Sequence, residues 1–300
     1  MKIRDVFIED TFAEAFGMAA ARIVITAVNQ RWASLAAAKL TGFATSVIAC
    51  KCEAAIERLL SPDETPDARP GVSVLLFAMD ADGIGKRLIE RIGQTVLTCP
   101  TTSCFDGLPE SPDRVTPGRA LRVFGDKFQS SKVIGGERYW RIPVMDGEFL
   151  LQESFGVQKK GVGGGNFLIL ADDAASALGA AEAAVAAIEG MAGIILPFPG
   201  GIARSGSKVG SRGYTNLVAS TNDAYCPTLR LSTESSLPEG VNAVLELVLD
   251  GLDADAIGRA MRAGILAACR PGVRAITAGN YGGNLGKYHF HLRKIMDGAS

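Results

Sequence analysis

The second half of the chain contains one order of elements twice, and this repeat constrains the fold more than any other feature of the sequence. Each copy has a strand, a helix, a strand and paired glycines, at residues 167–171, 174–188, 193–196 and 200–201 in the first copy and at 244–249, 254–269, 272–276 and 282–283 in the second. Apolar alternation predicts the strands, and apolar positions three to four residues apart predict the helices. Two such copies predict a split β-α-β, ferredoxin-like lobe.

The first half of the chain predicts a similar lobe with weaker signals. Apolar runs predict strands at 22–28, 45–50 and 72–78, and helical spacing predicts helices at 30–40 and 84–97. We therefore expect an α+β protein with two ferredoxin-like lobes, in which helices cover antiparallel sheets. An Asp-Gly hairpin signal at 146–147 lies where short strands replace helices. It places the boundary between an N-terminal lobe, 1–150, and a C-terminal lobe, 151–300.

The charge and hydropathy patterns argue against two classes of partner. The net charge is -1, and the basic residues do not form the clustered surface that nucleic-acid binding requires. The longest apolar helical stretch, 174–188, is interrupted by Glu182 and is too short to cross a bilayer. We therefore expect neither nucleic acid nor a membrane as partner. The 47% of hydrophobic residues instead indicates extensive subunit contacts.

The cysteines and histidines do not follow the spacing of metal sites. Cys50 and Cys52 lack a second close pair, and His289 and His291 lack neighbouring cysteines or acidic clusters, so we predict structural roles and no metal. The first residues run into an alternating segment, whereas a secretory leader would begin with an apolar region. The six cysteines are therefore expected to be reduced thiols in a cytoplasmic protein.

A loop rich in glycine and serine follows the second strand of the first copy. Residues 197–211 contain four glycines, three serines, an arginine and a lysine. Glycine lets a backbone approach a ligand, and the other side chains add donors for anionic or carbonyl groups. The candidate substrate-binding residues in this loop are Gly200, Gly201, Arg204, Ser205, Ser207 and Lys208. The spacing is not that of a P-loop, and an ordinary turn between strands explains the composition equally well.

Two further polar runs supply the remaining candidate binding residues. They are Ser220, Thr221 and Asn222 in the first run, and Asn280, Gly282 and Gly283 at the end of the second copy. If the two copies share one sheet, their Gly-Gly turns lie on equivalent edges and can meet around one pocket. The structural alternative is that such turns need glycine only because their backbone requires a positive φ.

Glu246 is the candidate catalytic residue. It lies inside an apolar strand, where its side chain shares a face with Val244 and Val248. Burial of a carboxyl favours its neutral form and raises its pKa, which would allow Glu246 to act as a general acid near neutral pH. The alternative is a solvent-facing or ion-paired glutamate, since buried carboxylates are rare.

Longer runs along the chain carry a family resemblance. They are IEDTFAEAF at 8–16, TGF at 41–43, TSVI at 45–48, RPGV at 69–72, RIGQ at 91–94, SFG at 154–156, GGNF at 164–167, PFPGGI at 197–202, RSGSKVGS at 204–211, ASTN at 219–222, CPT at 226–228 and AGN at 278–280. On these runs the chain resembles the formylmethanofuran–tetrahydromethanopterin formyltransferase family over essentially its whole length.

The resemblance implies an acyltransferase of one-carbon metabolism. Members move a formyl group between the amine of methanofuran and N5 of tetrahydromethanopterin. The resemblance also implies a homotetramer with ligand clefts at subunit contacts, two carriers as substrates, and no metal or tightly bound cofactor. The family's acid is a strand glutamate, and the position that matches it here is Glu246.

Two segments, 127–138 and 232–239, depart from the pattern of methanogen members and resemble the branch found in methylotrophic bacteria. In that branch the transfer serves formaldehyde oxidation to formate, which implies formylmethanofuran hydrolase subunits as partners. One alternative is a non-catalytic carrier-binding assembly subunit of such a complex. Another is a hydrolase that delivers water to the formyl group, although the sequence contains neither a nucleophile triad nor a metal pattern.

Overall fold

The computed structural model describes residues 1–298, which form a mixed α+β chain. The helices in these residues are α1 (Gln30–Thr41), α2 (Val47–Cys50), α3 (Ala81–Arg91), α4 (Pro117–Leu121), α5 (Ala174–Ile188), α6 (Ala254–Ala268) and α7 (Leu292–Asp297). The strands are β1 (Lys2–Ile3), β2 (Val6–Ile8), β3 (Phe12–Thr26), β4 (Glu53–Leu60), β5 (Gly71–Ala78), β6 (Ser103–Asp106), β7 (Arg114–Val115), β8 (Ser130–Ile134), β9 (Glu137–Val144), β10 (Gly147–Gln152), β11 (Phe155–Gly156), β12 (Gln158–Ala171), β13 (Ile194–Ile195), β14 (Lys208–Val209), β15 (Ala219–Ser220), β16 (Ala243–Gly251), β17 (Val273–Thr277) and β18 (Tyr288–His291). None of the helices in the described residues has both the length and the apolar composition needed to span a membrane.

Contacts between residues divide the chain into two compact units. The C-terminal unit combines Met1–Gly17 with Val162–Ser300, and the central unit is Met18–Gly161. Residues 1–17 belong with the second half because β2 pairs with β17 and the start of β3 pairs with β18. The lobe bounds 1–150 and 151–300 remain a proposal. The sequence pattern gives no sign of these long-range pairings, so it could not assign residues 1–17 to the second half.

The C-terminal unit contains the repeat that the sequence predicts. Its two strand–helix–strand copies form one antiparallel sheet in the order β17, β12, β16, β13. In chain order these are strands four, one, three and two of a β-α-β-β-α-β unit, which is the ferredoxin-like arrangement. The second strand of the first copy, β13, is only two residues long.

The two faces of this sheet have different environments. Phe167 and Leu247 point toward α5 and α6, where small residues such as Ala180, Ala184 and Ala260 let the two helices pack closely. On the other face, Leu168, Leu170 and Val244 pack with Tyr225, Leu237 and Val241 instead of with a helix. Because side chains alternate along a strand, Glu246 lies on this second face, beside Val244 and opposite Leu168.

The central unit repeats the arrangement. Its antiparallel strands lie in the order β6, β3, β5, β4, and its apolar core includes residues of α1 and α3 such as Ala36, Leu40 and Ile84. An added antiparallel meander, β8–β9–β10, joins this sheet through β10, which lies parallel to β6. Both lobes of the expected α+β fold are therefore present.

The strand predicted at 45–50 is wrong. Residues Val47–Cys50 form the short helix α2, in which the Ser46 side chain accepts a hydrogen bond from the Ile48 amide. Lys51 then ends the helix in the left-handed conformation, with φ of 64°. The run is apolar but only one helical turn long, so its periodicity could not distinguish a strand from a capped turn.

We expect Gly156→Ala to destabilise the protein strongly. A Cβ at this position in β11 would lie 2.1 Å from the Leu108 carbonyl oxygen, a backbone atom that cannot turn away. Overpacking of this kind costs about 1–3 kcal/mol or more. In the control, Gly179→Ala in α5, a Cβ meets no atom of the described residues within 4 Å. That change should raise stability by about 0.5–1 kcal/mol, because alanine favours the helix. Urea unfolding of both variants measures the difference.

Candidate active site

Glu246 lies in the middle of β16 and is held by backbone pairing on both sides. Across one side its strand neighbour is Leu168 of β12. On the other side, Ala203 and Glu246 exchange two backbone hydrogen bonds of 2.8 and 2.9 Å. The loop at residues 197–211 after β13, called the polar loop below, is thereby fixed beside Glu246, because Ala203 directly precedes Arg204.

The Glu246 carboxyl is in an environment that favours its neutral form. It is partly buried on the helix-free face, and in residues 1–298 it has no hydrogen-bond or ion-pair partner. Burial without compensating donors raises its pKa from the ordinary value of 4.5 to about 7. The rise expected from its position in the strand is confirmed, and near neutral pH this carboxyl can both give and take a proton.

A small cavity of about 40 Å³ adjoins Glu246. Its lining includes Arg204, Ser205, Asn222 and Tyr225. One water molecule occupies about 30 Å³ of liquid, so the cavity admits a group of only a few atoms. A larger ligand would therefore lie outside it and place only its reacting end beside Glu246.

The paired glycines of the polar loop, Gly200 and Gly201, are not among the residues that line this cavity. Pro199–Gly201 form a 3-10 turn in which Gly200 and Gly201 have φ of 62° and 77°, values that disfavour other residues. A Cβ on Gly201 would lie 2.9 Å from Val185. Their need for glycine is structural, as the alternative from the sequence proposed, whereas their predicted role in binding remains a prediction.

The two cations of the loop have different surroundings. Arg204 is exposed and makes no ion pair with the described residues, so its guanidinium is available to a ligand. Lys208 instead donates to Asp223 at 2.5 Å, and Arg212 pairs with the same carboxylate at 3.0 Å. The hydrogen bond from Lys208, together with the charge of Arg212, holds the pKa of Asp223 below its ordinary value. Lys208 would have to leave Asp223 to bind a ligand.

The serine, threonine and asparagine candidates lie on the same segment, and they differ in whether their side chains already make hydrogen bonds within the chain. Ser205 and Ser207 are exposed, whereas Ser220 donates to the Gly210 carbonyl at 2.7 Å across the β14–β15 hairpin. Thr221 contacts the Cys226 sulfur at 3.3 Å, and Asn222 lines the cavity. The structure thus brings Arg204, Ser205 and Asn222 to Glu246, and leaves Ser220 engaged within the hairpin.

The third polar run, around Asn280, makes its hydrogen bonds within the chain. Asn280 donates through Nδ2 to the Thr11 hydroxyl and the Phe12 carbonyl, both at 3.2 Å. Gly282 and Gly283 have φ of 74° and 77°, and the Gly282 amide donates to Asn280 Oδ1. Whether these three residues also bind a ligand remains a prediction.

Sequence reasoning missed Glu14, which organises this turn. Its carboxylate is 1% exposed and accepts four amide hydrogen bonds of 2.6–2.8 Å, from Tyr281, Gly283, Leu285 and Gly286. Although desolvation acts to raise its pKa, these four donors hold the pKa at about 2. A signal was present, since Glu14 interrupts the apolar strand 12–15 as Glu246 interrupts its own strand.

The turn and Glu246 flank the same strand. Leu168 of β12 pairs with Glu246 on one side and with Thr277 on the other. Neighbouring strands are about 4.8 Å apart, so Thr277 and Glu246 are separated by about 10 Å. The partly buried Tyr225 is hydrogen-bonded through its side chain to Thr277, and Tyr225 also lines the cavity. The polar loop therefore lies on one side of Glu246, and the turn at residues 279–286, called the glycine turn below, follows Thr277 on the other side.

The two histidines are on β18, where His291 faces Phe12 across the sheet. Both imidazoles are tilted against the Phe12 ring, with centroids 4.9 and 5.3 Å away for His289 and His291. In the part of the chain that the structure describes, they are not grouped with other metal-ligating side chains. This packing fits the structural role that the sequence favours.

Comparison with known families gives matches along nearly the whole chain. The family model described as formylmethanofuran-tetrahydromethanopterin formyltransferase matches residues 1–144. The model described as its proximal lobe matches residues 147–295. The resemblance seen in the sequence runs is therefore confirmed.

Individual relatives match at high identity. A formylmethanofuran–tetrahydromethanopterin formyltransferase of Methylococcus capsulatus is 58% identical over 300 residues, covering 99% of this chain and all of that protein. The solved formyltransferase of that name from Methanosarcina barkeri is 50% identical, with a TM-score of 0.93 over 98% of this chain and 100% of its own. A chain in the crystal structure of the formyltransferase/hydrolase complex from Methylorubrum extorquens with methylofuran is 50% identical in sequence. Its TM-score is 0.95, over 99% of this chain and 98% of that chain. The two-lobed α+β fold is confirmed by these structures.

Proposed function

We propose that this chain, which belongs to the formylmethanofuran–tetrahydromethanopterin formyltransferase family, transfers a formyl group between the amine of methanofuran and N5 of tetrahydromethanopterin. The observation that carries the mechanism is the Glu246 carboxyl, which has no hydrogen-bond or ion-pair partner among residues 1–298 and a pKa of about 7, beside a cavity the size of a small acyl group. An acyltransferase needs such a group, because one amine must lose a proton while the other gains one.

The proposed reaction is direct acyl transfer. The acceptor amine attacks the formyl carbon, a new C–N bond forms, and the carbonyl oxygen becomes an oxyanion. Neutral Glu246 gives its proton to the departing nitrogen, either directly or through the oxyanion, which passes it on; the C=O bond re-forms as the old C–N bond breaks. The carboxylate then takes the proton that the attacking amine releases, so Glu246 returns to its neutral form. Much of the rate gain comes from holding two large carriers in the reacting orientation.

The polar loop supports binding on one side of Glu246. Arg204, which makes no ion pair within the described part of the chain, offers a cation for carboxylate or phosphate groups of a carrier tail. Ser205 and Asn222 line the cavity and place polar groups near the position of the developing oxyanion. A single oxyanion donor is typically worth about 2.7–4 kcal/mol of transition-state stabilisation. Ser207, Lys208, Ser220 and Thr221 complete the proposed binding segment, with Lys208 joining it only after release from Asp223.

The setting of the reaction is also a proposal. The carriers act as substrates, with no tightly bound cofactor, in a cytoplasmic homotetramer associated with formylmethanofuran hydrolase subunits. The support is the high structural similarity to a chain solved in a formyltransferase/hydrolase complex. In this setting the transfer serves formaldehyde oxidation to formate.

The activity is tested by assaying the purified chain alone with both carriers. Formation of the second formyl carrier at the expense of the first supports the proposed transfer. Release of formate would indicate a hydrolase instead. Binding of a carrier without either product would indicate the non-catalytic assembly subunit.

We expect kcat/KM for formyl transfer to fall as pH rises through about 7. Its pKa of about 7 means that the acid is mostly protonated below this pH and mostly ionised above it. Above the pKa the neutral fraction, and with it the rate constant, decreases about tenfold per pH unit. Initial rates between pH 5.5 and 9 measure this limb, and a flat profile over that range would rule out Glu246 as the acid.

A further inference from the structure

The outermost strand of the meander in the central unit, β8, has one side without a neighbouring strand. Among the residues that the structure describes, β8 pairs only with β9 and stands at the end of the strand order. All five of its residues, Ser130–Ile134, are exposed. Native proteins normally protect such an edge with proline, a bulge or a covering segment. The five residues of β8 include no proline, and their pairing with β9 has no register shift.

The geometry of the hairpin determines which backbone groups of β8 face its free side. The two glycines at 135–136, which join β8 to β9, have φ of 60° and 87°, as in a type I′ turn. The pair that closes such a turn, Ile134 and Glu137, is hydrogen-bonded, and hydrogen-bonded pairs alternate with open pairs along an antiparallel ladder. The amides and carbonyls of Ser131 and Val133 therefore point away from β9 and can bind a further strand.

Large apolar side chains are exposed along the same edge. Val133 and Ile134 in the strand, and Phe124 and Phe128 before it, are all more than half exposed. Phe124 also lines an open groove of about 740 Å³, together with Pro143 of β9. Exposed apolar side chains that lie together are typical of interaction sites. The free side of β8, with Phe124 and Phe128, is called the β8 edge below.

The β8 edge is strongly cationic. Residues 119–141 contain six cationic and two anionic side chains, although the net charge of the whole chain is -1. Arg122 and Arg138 lie over the Trp140 ring, with guanidinium carbons 5.1 and 5.9 Å from its centroid. Four of the six cations make no ion pair with the described residues, namely Arg119, Arg122, Lys127 and Lys132. A partner that neutralises this surface must supply carboxylates.

A second copy of the chain does not match the β8 edge. If two β8 strands paired antiparallel over all five residues, Lys132 would lie directly opposite its own counterpart, and like charges in that position are destabilising. An acidic strand has no such conflict. One carboxylate would lie beside Lys132, and another, on the opposite face, would lie near Arg122 and Arg138. Apolar side chains of the same strand would cover Val133 and Ile134.

We propose that an extended acidic segment of a partner protein binds the β8 edge as an added strand. Its main chain exchanges hydrogen bonds with Ser131 and Val133, and its carboxylates pair with Lys132 and with the two arginines over Trp140. The interaction goes beyond the proposed formyl transfer, because neither Glu246 nor the polar loop belongs to this surface. It gives the chain a means of assembly through its central unit.

The test measures the affinity of the full-length chain for a blocked peptide of about ten residues with alternating glutamate and valine. The wild-type chain should bind it with a Kd of about 100 µM or tighter at about 0.05 M salt. Val133→Pro removes an amide that faces the free side and none that pairs with β9, so Kd should rise about tenfold or more. Lys132→Glu reverses the central charge and should weaken binding by a similar factor. Lys39→Glu, at an exposed position of α1, is the matched control and should change Kd by less than about twofold.

Two further probes separate strand addition from attraction between charges alone. Poly-L-glutamate, and the alternating peptide with proline in place of its central valines, carry negative charge but do not form a regular strand. Both should bind at least about tenfold more weakly than the alternating peptide, and equal affinity would overturn the proposal. If Val133→Pro does not fold, Lys132→Glu and these two probes decide the question.

Two other results would contradict an acidic partner. One is the absence of binding by the wild-type chain at about 1 mM alternating peptide. The other is a smaller assembly of Lys132→Glu or Val133→Pro than of the wild type in sedimentation velocity, since the β8 edge would then be a contact between copies of this chain. Unchanged sedimentation together with the expected losses of peptide affinity would support the proposal.

Discussion

Replacing Glu246 with glutamine lowers kcat for formyl transfer by a factor of roughly 100 to 10,000, the usual contribution of a positioned general acid or base. Glutamine fills the same space beside Leu168 and keeps the backbone pairing with Ala203, so carrier binding is retained. It cannot give a proton to the oxyanion or take one from the attacking amine. Steady-state kinetics with both carriers should therefore show a large loss in kcat with KM changed by less than about threefold.

The control for Glu246→Gln is Glu182→Gln, which removes a carboxylate from an exposed helical position. It should leave kcat unchanged. The residual rate of Glu246→Gln should also lose the dependence on pH near 7, because the group whose pKa is about 7 is gone. A variant that assembles normally and keeps near wild-type kcat would show that another group moves the proton.

The fold of the C-terminal unit was predictable because its helices are long and regularly patterned. The sequence predicts α5 at 174–188 and α6 at 254–269, and the structure has Ala174–Ile188 and Ala254–Ala268. Their alanine-rich buried stripes leave little alternative to packing on one face of a sheet. The strand that follows α5, β13, has only two residues and was placed by the repeat and not by its own pattern.

Long-range pairing was not predictable from local pattern. Glu14 and Gly283 are 269 residues apart, and no periodicity indicates that one carboxylate will collect the amides of so distant a turn. The pairing of Lys208 with Asp223, which are 15 residues apart, is hidden for the same reason. Composition predicts donors in both loops, but only the fold determines whether those donors face a ligand or the chain itself.

Glu246 could be identified because its signal is local. A carboxylate in an apolar strand must either reach solvent or become partly desolvated, and alternation alone assigns it to the face it shares with Val244. The same reasoning applied to 12–15 would have pointed to Glu14. The two glutamates differ in what the fold supplies, since Glu14 receives four amide donors and Glu246 has no partner among residues 1–298. Glu14 is therefore held ionised, whereas Glu246 can exchange a proton.

Loss of the Glu14 carboxylate lowers the free energy of unfolding by about 3 kcal/mol at pH 7. Its pKa falls from 4.5 in the unfolded chain to about 2 in the folded one, and each unit of such a shift is worth about 1.4 kcal/mol. Because the folded-state pKa is depressed, this stabilisation is complete above pH 4.5 and disappears as pH falls toward 2. Urea unfolding of wild type and Glu14→Gln between pH 7 and 2.5 should therefore show a difference that shrinks below pH 4.5.

Glu64→Gln tests whether a lowered pKa stabilises the fold only when the carboxylate is also buried. Hydrogen bonds from Ser61 and Arg58 also lower the pKa of Glu64 to about 2, but its side chain is 42% exposed, whereas Glu14 is 1% exposed. Water screens and replaces the contacts of Glu64, so its removal should change stability much less than removal of Glu14. A stability difference between wild type and Glu14→Gln that stays constant from pH 6 to 2.5 would mean that the buried charge is not the source of the stabilisation. Equal effects of the two variants at pH 7 would lead to the same conclusion, because the inward-pointing amides of the glycine turn are unique to Glu14 in this pair.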